Sequence, residues 1–291
     1  MHETPIIITG MHRSGTSLLT RMLEHLGLFV GARTETHREA TFFLDLNRWL
    51  LQQAGGRWDY PDPIDDLLDH KPARRRSVEY LRAHCDSLRR IEYVGLDRFL
   101  DETPAWTFDG PWGWKDPRNT YTLPIWLELF PEARVLYIER NGIDVADSLY
   151  RRNESSSAKW RMLHDTIHDS LLEPIYWFWR RGDHGFETSQ RCARRTACLG
   201  LWRQYVDRGR SHVAALGDRA AAVEYEELLR APAKHLPRLA EFCGLAVDDD
   251  QLYELAKMVD PSRVEAWRDD DNLRQFARRN RDVLAEFGYS A

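Results

Sequence analysis

Cysteine is scarce in this chain. Cys85, Cys192, Cys198 and Cys243 are the four in 291 residues, with neither CxxC spacing nor the density of a secreted disulfide scaffold. That excludes a disulfide-built fold, argues against zinc ligation by thiolates, and makes reduced thiols in a cytoplasm the expectation. Long apolar runs are missing too, so no segment is expected to cross a bilayer, and with the first strand opening at Ile6 no signal peptide is expected. A large charge of one sign is also absent: 41 basic against 46 acidic residues give a net charge of −5, which argues against broad nucleic-acid binding. No linker, internal repeat or low-complexity run interrupts the chain. Residues 1–291, 43% hydrophobic, are therefore read as one domain with a substantial core.

What is present is concentrated first at Ile6-Ile7-Ile8-Thr9-Gly10-Met11-His12-Arg13-Ser14-Gly15-Thr16-Ser17. An apolar strand runs into a Gly-bounded loop that opens an amphipathic helix, the arrangement of a phosphate cradle. Gly10 and Gly15 allow tight backbone geometry, and the helix N-terminus favours an anion. The glycine spacing is that of a nucleotide-binding P-loop, but Thr16 stands where such a loop carries Lys. The best second strand, Arg134 to Arg140, ends in Arg rather than in the Asp that helps to hold Mg²⁺. Arg13 within the loop and Arg140 at the strand end, in place of that Lys and Asp, suit an anionic nucleotide without a metal.

Asn141-Gly142 then turns the chain into a helix carrying Ser148, with Arg152 one turn further on the same face. Arg140 at the strand end and Ser148 on the opening turns of that helix can converge on a second phosphate. Alternating strands and helices predict an α/β fold with a P-loop-type parallel sheet flanked by helices, and helical insertions forming an acceptor pocket. Both phosphate sites then fall at strand carboxyl ends. The elements expected are strands over Ile6–Thr9, Val135–Ile138 and Ala221–Tyr225. Helices are expected over Thr16–Leu26, Glu39–Gln53, Arg74–Arg90, Asp144–Asn153, Arg191–Val213, Ala233–Cys243 and Asp249–Val259.

With these residues in place the chain resembles the sulfotransferases that use 3′-phosphoadenosine 5′-phosphosulfate (PAPS) and release 3′-phosphoadenosine 5′-phosphate (PAP), in particular bacterial members with motifs like those of the protein-tyrosine sulfotransferases. The resemblance implies that Arg13, Ser14, Gly15, Thr16 and Ser17 bind the 5′-phosphosulfate, with Arg13 also assisting transfer. It implies that Arg140 and the Ser eight residues on, Ser148, bind the 3′-phosphate; the helical spacing of Arg152 from Ser148 adds that residue to the same group. In Lys115-Asp116-Pro117 the Lys is the candidate for stabilising the bridging oxygen, and Tyr225 of the Tyr225-Glu226-Glu227-Leu228 segment is implied to lie against the adenine. No metal is required. Sulfuryl transfer passes through a loose transition state in which positioning and fixed cations do most of the work.

A group must also take the acceptor's proton. The segment Thr34 to Phe43 holds three candidates, with Glu39 placed first, Glu35 second and His37 third. The acceptor is expected to be a hydroxyl of a glycan or small molecule, with tyrosine in a peptide as an alternative. Two rivals from other classes are a Mg²⁺-dependent P-loop kinase or NTPase and a non-catalytic nucleotide-binding module. The segments Trp49–Leu68 and Trp160–Phe186 are expected to build the acceptor pocket or simply to pack. Arg74 to Arg90 gives a basic helix face, read as solvated or as a contact for an anionic glycan. The Arg- and Asp-rich tail Arg263–Arg281 is read as a salt-bridged surface helix or a lid over the nucleotide.

Overall fold

The computed structural model describes residues 4–100, 106–167 and 189–291, with side chains of 159–167 outside that description. Among the described residues, strands β1 (Ile6–Gly10), β2 (Gly113–Lys115), β3 (Arg134–Glu139) and β4 (Ala220–Glu224) form a parallel sheet in the order β2-β1-β3-β4. Ile6, Ile7 and Ile8 of β1 pair with Arg134, Val135 and Leu136 on one side and with Gly113, Trp114 and Lys115 on the other. The three isoleucines and Val135 to Ile138 are all buried, as a parallel sheet covered on both faces requires.

The strand period of two divides the core. Ile7 and Val135 pack into one cluster with Phe42, Phe43, Trp112, Trp114, Trp126, Trp202 and Tyr205. Ile6, Ile8, Leu136 and Ile138 face the other, with Leu19, Leu23, Val223, Leu228 and Leu236. The aromatic cluster is tightly interleaved: Phe43 stacks on Trp114 at 3.9 Å with 5° between the planes.

Helices α1 (Thr16–His25), α2 (Thr41–Gln53), α3 (Ile64–Asp69), α4 (Lys71–Asp86), α5 (Ile91–Val94) and α6 (Leu96–Leu100) separate β1 from β2. Then α7 (Asn119–Leu129) leads to β3, and α8 (Gly142–Ile167) and α9 (Arg195–Leu216) lead to β4. The chain finishes in α10 (Tyr225–Arg230), α11 (Pro232–Cys243), α12 (Asp249–Lys257), α13 (Asp271–Arg279) and α14 (Arg281–Glu286).

Several boundaries differ from those expected, for local reasons. Helix α2 starts at Thr41, because Ala40 is extended, so Glu39 precedes the helix. Helix α4 starts at Lys71, capped by the His70 side chain with Pro72 in its first turn; it ends at Asp86, and a 3₁₀ turn carries the chain to Arg90. Helix α8 begins at Gly142 and runs far beyond Asn153. A 3₁₀ turn, Arg191–Ala193, precedes α9. Tyr225 is the first residue of α10 instead of the last of β4. Strand β2 and helix α7 were not anticipated: β2 is three residues long, too short to show a periodicity.

The order of the sheet sends the chain from β1 to one side and brings β3 in on the other, so the carboxyl ends of β1 and β3 flank a topological switch point. Open α/β sheets leave a crevice there. Lys115 ends β2 on the neighbouring side.

Candidate active site

The crevice is a cavity of about 310 Å³ lined by the loop after β1 (His12, Arg13, Gly15, Thr16, Ser17), by His37 and Glu39, by Lys115 and Pro117, and by Arg140, Ser148, Arg152, Tyr225 and Arg263. Residues from every section of the sheet converge on it.

The loop's conformation is demanding. Gly10, Arg13 and Gly15 have positive φ, at 148°, 97° for Gly15 and 72° for Arg13. A Cβ on Gly15 would stand 2.3 Å from the Tyr225 ring, and one on Gly10 2.2 Å from the Ile138 carbonyl. Arg13 has no such steric excuse, and a non-glycine residue held in the left-handed region marks strain of the kind kept at functional sites. Its guanidinium Nε donates to Ser148 Oγ at 2.8 Å. Burial, then the guanidiniums of Arg152, Arg140 and Arg263, pull Arg13 below its ordinary pKa.

Helix α1 has no side-chain cap at Gly15, and no backbone acceptor is found for the N–H groups of Gly15, Thr16 and Ser17 among the described residues. Uncapped N–H groups at a helix start form an anion site. Ser14 contributes differently from its neighbours. It is fully buried, and its hydroxyl donates to the carbonyls of Met11 at 2.6 Å and Ile138 at 3.3 Å, so its side chain braces the loop against β3.

At the other side of the loop, Lys115 Nζ lies 2.6 Å from Glu39 Oε1 and 3.4 Å from Ser17 Oγ. The lysine is 1% exposed. Burial lowers its pKa below the ordinary lysine value, while the Glu39 carboxylate opposes that change. A polar network fixes the loop carrying it. Asn47, fully buried, donates to Asp116 Oδ2 at 2.9 Å and Asn119 Oδ1 at 2.8 Å, and accepts from Thr122 and Trp126. Asp116 in turn accepts from the Arg118 backbone and guanidinium. Every hydrogen-bonding capacity of the Asn47 amide is filled, as a low-dielectric site demands.

A tight turn separates the candidate bases. Glu35 N–H donates to the Glu39 carbonyl, Arg38 N–H donates to the Glu35 carbonyl, and Thr34 bridges Ala40. Glu39 thereby enters the cavity at 7% exposure, whereas Glu35 lies on the outer side, its carboxylate 3.9 Å from Arg48, and is absent from the lining. His37 reaches the rim. Partial burial lowers its pKa against the pull of Glu39.

The far end gathers Arg140, Tyr225 and Arg263. Arg140 lies over the Tyr225 ring at 4.4 Å, pairs with Asp144 at 3.3 Å and donates to the Arg263 carbonyl at 3.1 Å. Arg263 brings the start of the tail to the cavity; beyond it, Trp267 N–H donates to Asp144 Oδ1 at 3.0 Å, and Asp270 caps α13. Arg152 also lines the cavity and lies over the Trp58 ring at 5.6 Å. His12 and Arg263 both line the cavity, yet the sequence reading gave neither a site role. His12 stood inside the loop motif and was the nearer to being found.

Of the expected acceptor segments, Trp58 stands edge-on to His12 at 4.8 Å while Trp49 stacks on Tyr80 at 3.8 Å. The cluster Tyr176–Trp179 with His168 and His184, and the side chains of Trp160 and His164, lie outside the described residues. Along α4, Arg75 pairs with Glu79 and Arg74 reaches Glu128, which makes this an ion-paired surface. The four cysteines are buried thiols, and no described helix is long and apolar enough to cross a membrane.

No curated protein matches the chain. Among solved structures, the sulfotransferase domain from the curacin biosynthetic pathway is similar at a TM-score of 0.50 and 13% identity, with 95% of this chain and 96% of that one covered. The sulfotransferase domain of the Synechococcus PCC 7002 olefin synthase gives 0.49 at 18% identity over 100% and 97%. A mouse sulfotransferase complexed with PAP gives 0.43 at 14% identity over 90% and 64%. The first of these shows a shared fold. The sulfotransferase family model matches residues 5–249, and the chain belongs to the sulfotransferase family, enzymes that draw on PAPS.

Proposed function

We propose that this protein transfers the sulfuryl group of PAPS to a hydroxyl of a carbohydrate or other small acceptor. The observation that carries the reading is the convergence of Arg13, Lys115, Arg140 and an uncapped helix start on one cavity that also holds a buried carboxylate, Glu39. The 5′-phosphosulfate lies on Arg13 and the N–H groups of Gly15 to Ser17. The 3′-phosphate is held by Arg140 and Ser148, and Tyr225 lies against the adenine.

The acceptor oxygen attacks sulfur in line as the bond from sulfur to the phosphate oxygen breaks. The electron pair leaves on that oxygen, where Lys115 offsets the developing charge, and the acceptor's proton passes to Glu39. Glu39 is favoured over Glu35 by its place in the cavity, and over His37 by its contact with Lys115. Strand β3 ends at Glu139, whose carboxylate is taken up by Arg210, and it is the next residue, Arg140, that lines the cavity, which favours this chemistry over a Mg²⁺-dependent kinase. Calorimetric titration with PAP, AMP and ATP in parallel tests the donor site, and PAPS turnover over an acceptor panel tests the transfer. Tight, metal-independent binding of PAP alone is expected; preference for ATP with Mg²⁺ would overturn the reading.

A further inference from the structure

Glu226 is a buried carboxyl group with no part in the transfer steps. It follows Tyr225 in the first turn of α10 and is 3% exposed. Its Oε1 accepts from the Asn141 N–H at 2.9 Å. Asn141 is fully buried and stands just past the end of β3, and a buried backbone donor beyond the sheet needs a partner from elsewhere in the fold. Burial raises the Glu226 carboxyl to about 7, an unfavourable change that a residue kept only for packing would not incur.

The bond matters because of the peptide it holds. The unit joining Arg140 to Asn141 is planar, with the Arg140 carbonyl on one edge and the Asn141 N–H on the other. The carbonyl accepts from Trp202 Nε1 of α9 at 2.9 Å, while the N–H donates to Glu226 of α10. Both edges are therefore tied, which sets ψ of Arg140 and with it the direction in which the side chain leaves the backbone. The turn beyond has little slack: Asn141 Oδ1 accepts from the Ile143 N–H at 2.9 Å, and a Cβ on Gly142 would stand 2.8 Å from the Trp202 ring. Arg140 itself lies over the ring of Tyr225, the residue next to Glu226, at 4.4 Å, and that ring closes against Gly15 of the loop after β1. The start of α10 thus meets Arg140 through its following peptide and through its guanidinium.

Resting on the proposed sulfuryl transfer, we propose that Glu226 is a positioning residue for the donor nucleotide. Through the Asn141 N–H it fixes the peptide that follows Arg140 and so aims the guanidinium at the 3′-phosphate. It touches no part of the nucleotide, yet it helps to distinguish a 3′-phosphorylated nucleotide from one without that group.

Calorimetric titration of the full chain with PAP and AMP tests this. If the wild type binds PAP no more tightly than AMP, the donor-site reading itself fails. Where the wild type does discriminate, Glu226→Leu, which keeps bulk but offers no acceptor, should lower the PAP-to-AMP affinity ratio by at least about fivefold and change AMP affinity by less than about twofold. Glu226→Gln, whose amide oxygen still accepts, should stay within about twofold of the wild-type ratio. In an Arg140→Ala background Glu226→Leu should alter PAP affinity by less than about twofold, because no guanidinium remains to be aimed. An unchanged ratio in Glu226→Leu, equal losses of PAP and AMP, or the same PAP loss with Arg140 absent overturns the inference and leaves the donor-site reading standing. Should Glu226→Leu not fold, Glu226→Asp, which draws the carboxylate back from Asn141 by one methylene, is read by the same criteria.

Discussion

Replacing Lys115 by Met separates what this residue does for stability from what it does for chemistry. Its ammonium is 2.6 Å from Glu39 Oε1, with side-chain exposures of 1% and 9%. Met keeps the length of the side chain and removes the charge, which leaves a carboxylate with no cation in a buried position. Breaking such a pair costs about 3 kcal/mol, the low end of the usual range, because the cavity admits some water to Glu39. For a chain of this size that is roughly 6 °C in Tm. Adding Glu39→Gln removes the stranded charge, so the double variant should regain at least about half of the loss. Activity should follow a different rule. Both variants should lose on the order of 10²-fold or more in kcat, since neither has the cation at the leaving oxygen, while PAP binding weakens only modestly. Differential scanning calorimetry and single-turnover PAPS assays read the two effects. A double variant no more stable than Lys115→Met would refute the buried-pair argument, and turnover restored in the double variant would refute the role of Lys115 in transfer.

Arg140→Ala should weaken PAP by roughly ten- to a hundredfold through lost charge-assisted bonds, with AMP changed by no more than about threefold; equal losses in calorimetry would remove the 3′-phosphate assignment. Glu39→Gln should lower kcat by about 10²-fold and Glu35→Gln by less than about twofold, because only the first carboxylate faces the cavity; comparable losses would count against the turn geometry. Glu226 is 3% exposed, and burial raises its carboxyl to about 7 from an ordinary 4.5. A folded pKa above the unfolded one contributes stability that is complete below 4.5 and is lost as pH rises through 7. Glu226→Gln, which keeps an acceptor for the Asn141 N–H, should therefore raise Tm at pH 8 and change it little near pH 4.5; the opposite trend would show that the carboxylate is stabilised in the fold. Gly15→Ala should lower both Tm and PAP affinity, as its Cβ meets the Tyr225 ring at a φ of 97°; an unchanged Tm would mean that the loop and α10 are free to part.

The sequence by itself determined those features whose cause is local. Ile6-Ile7-Ile8 followed by a Gly-bounded loop specifies a buried strand, a tight turn and a helix start, because β-branched runs and glycine conformations act over a few residues. The motifs at Lys115, Arg140 and Ser148 were legible in the same way, and so were the alternating order that predicts a parallel sheet and the general class of donor. Their side-chain directions were not.

Tertiary structure decided the rest. Glu39 and Glu35 are equivalent as carboxylates in the sequence, and only a turn closed by Glu35 and Arg38 N–H groups puts one against Lys115 and the other beside Arg48. Ser14 belongs to the motif, yet packing against β3 turns its hydroxyl inward. Strand β2 is strand only because β1 pairs with it. His12 lines the cavity with its ring held edge-on by Trp58 and Tyr205, both distant in sequence. The physical reason is the same throughout: backbone propensity is set by neighbours in the chain, whereas burial, electric field and hydrogen-bond partnership are set by residues brought near from elsewhere.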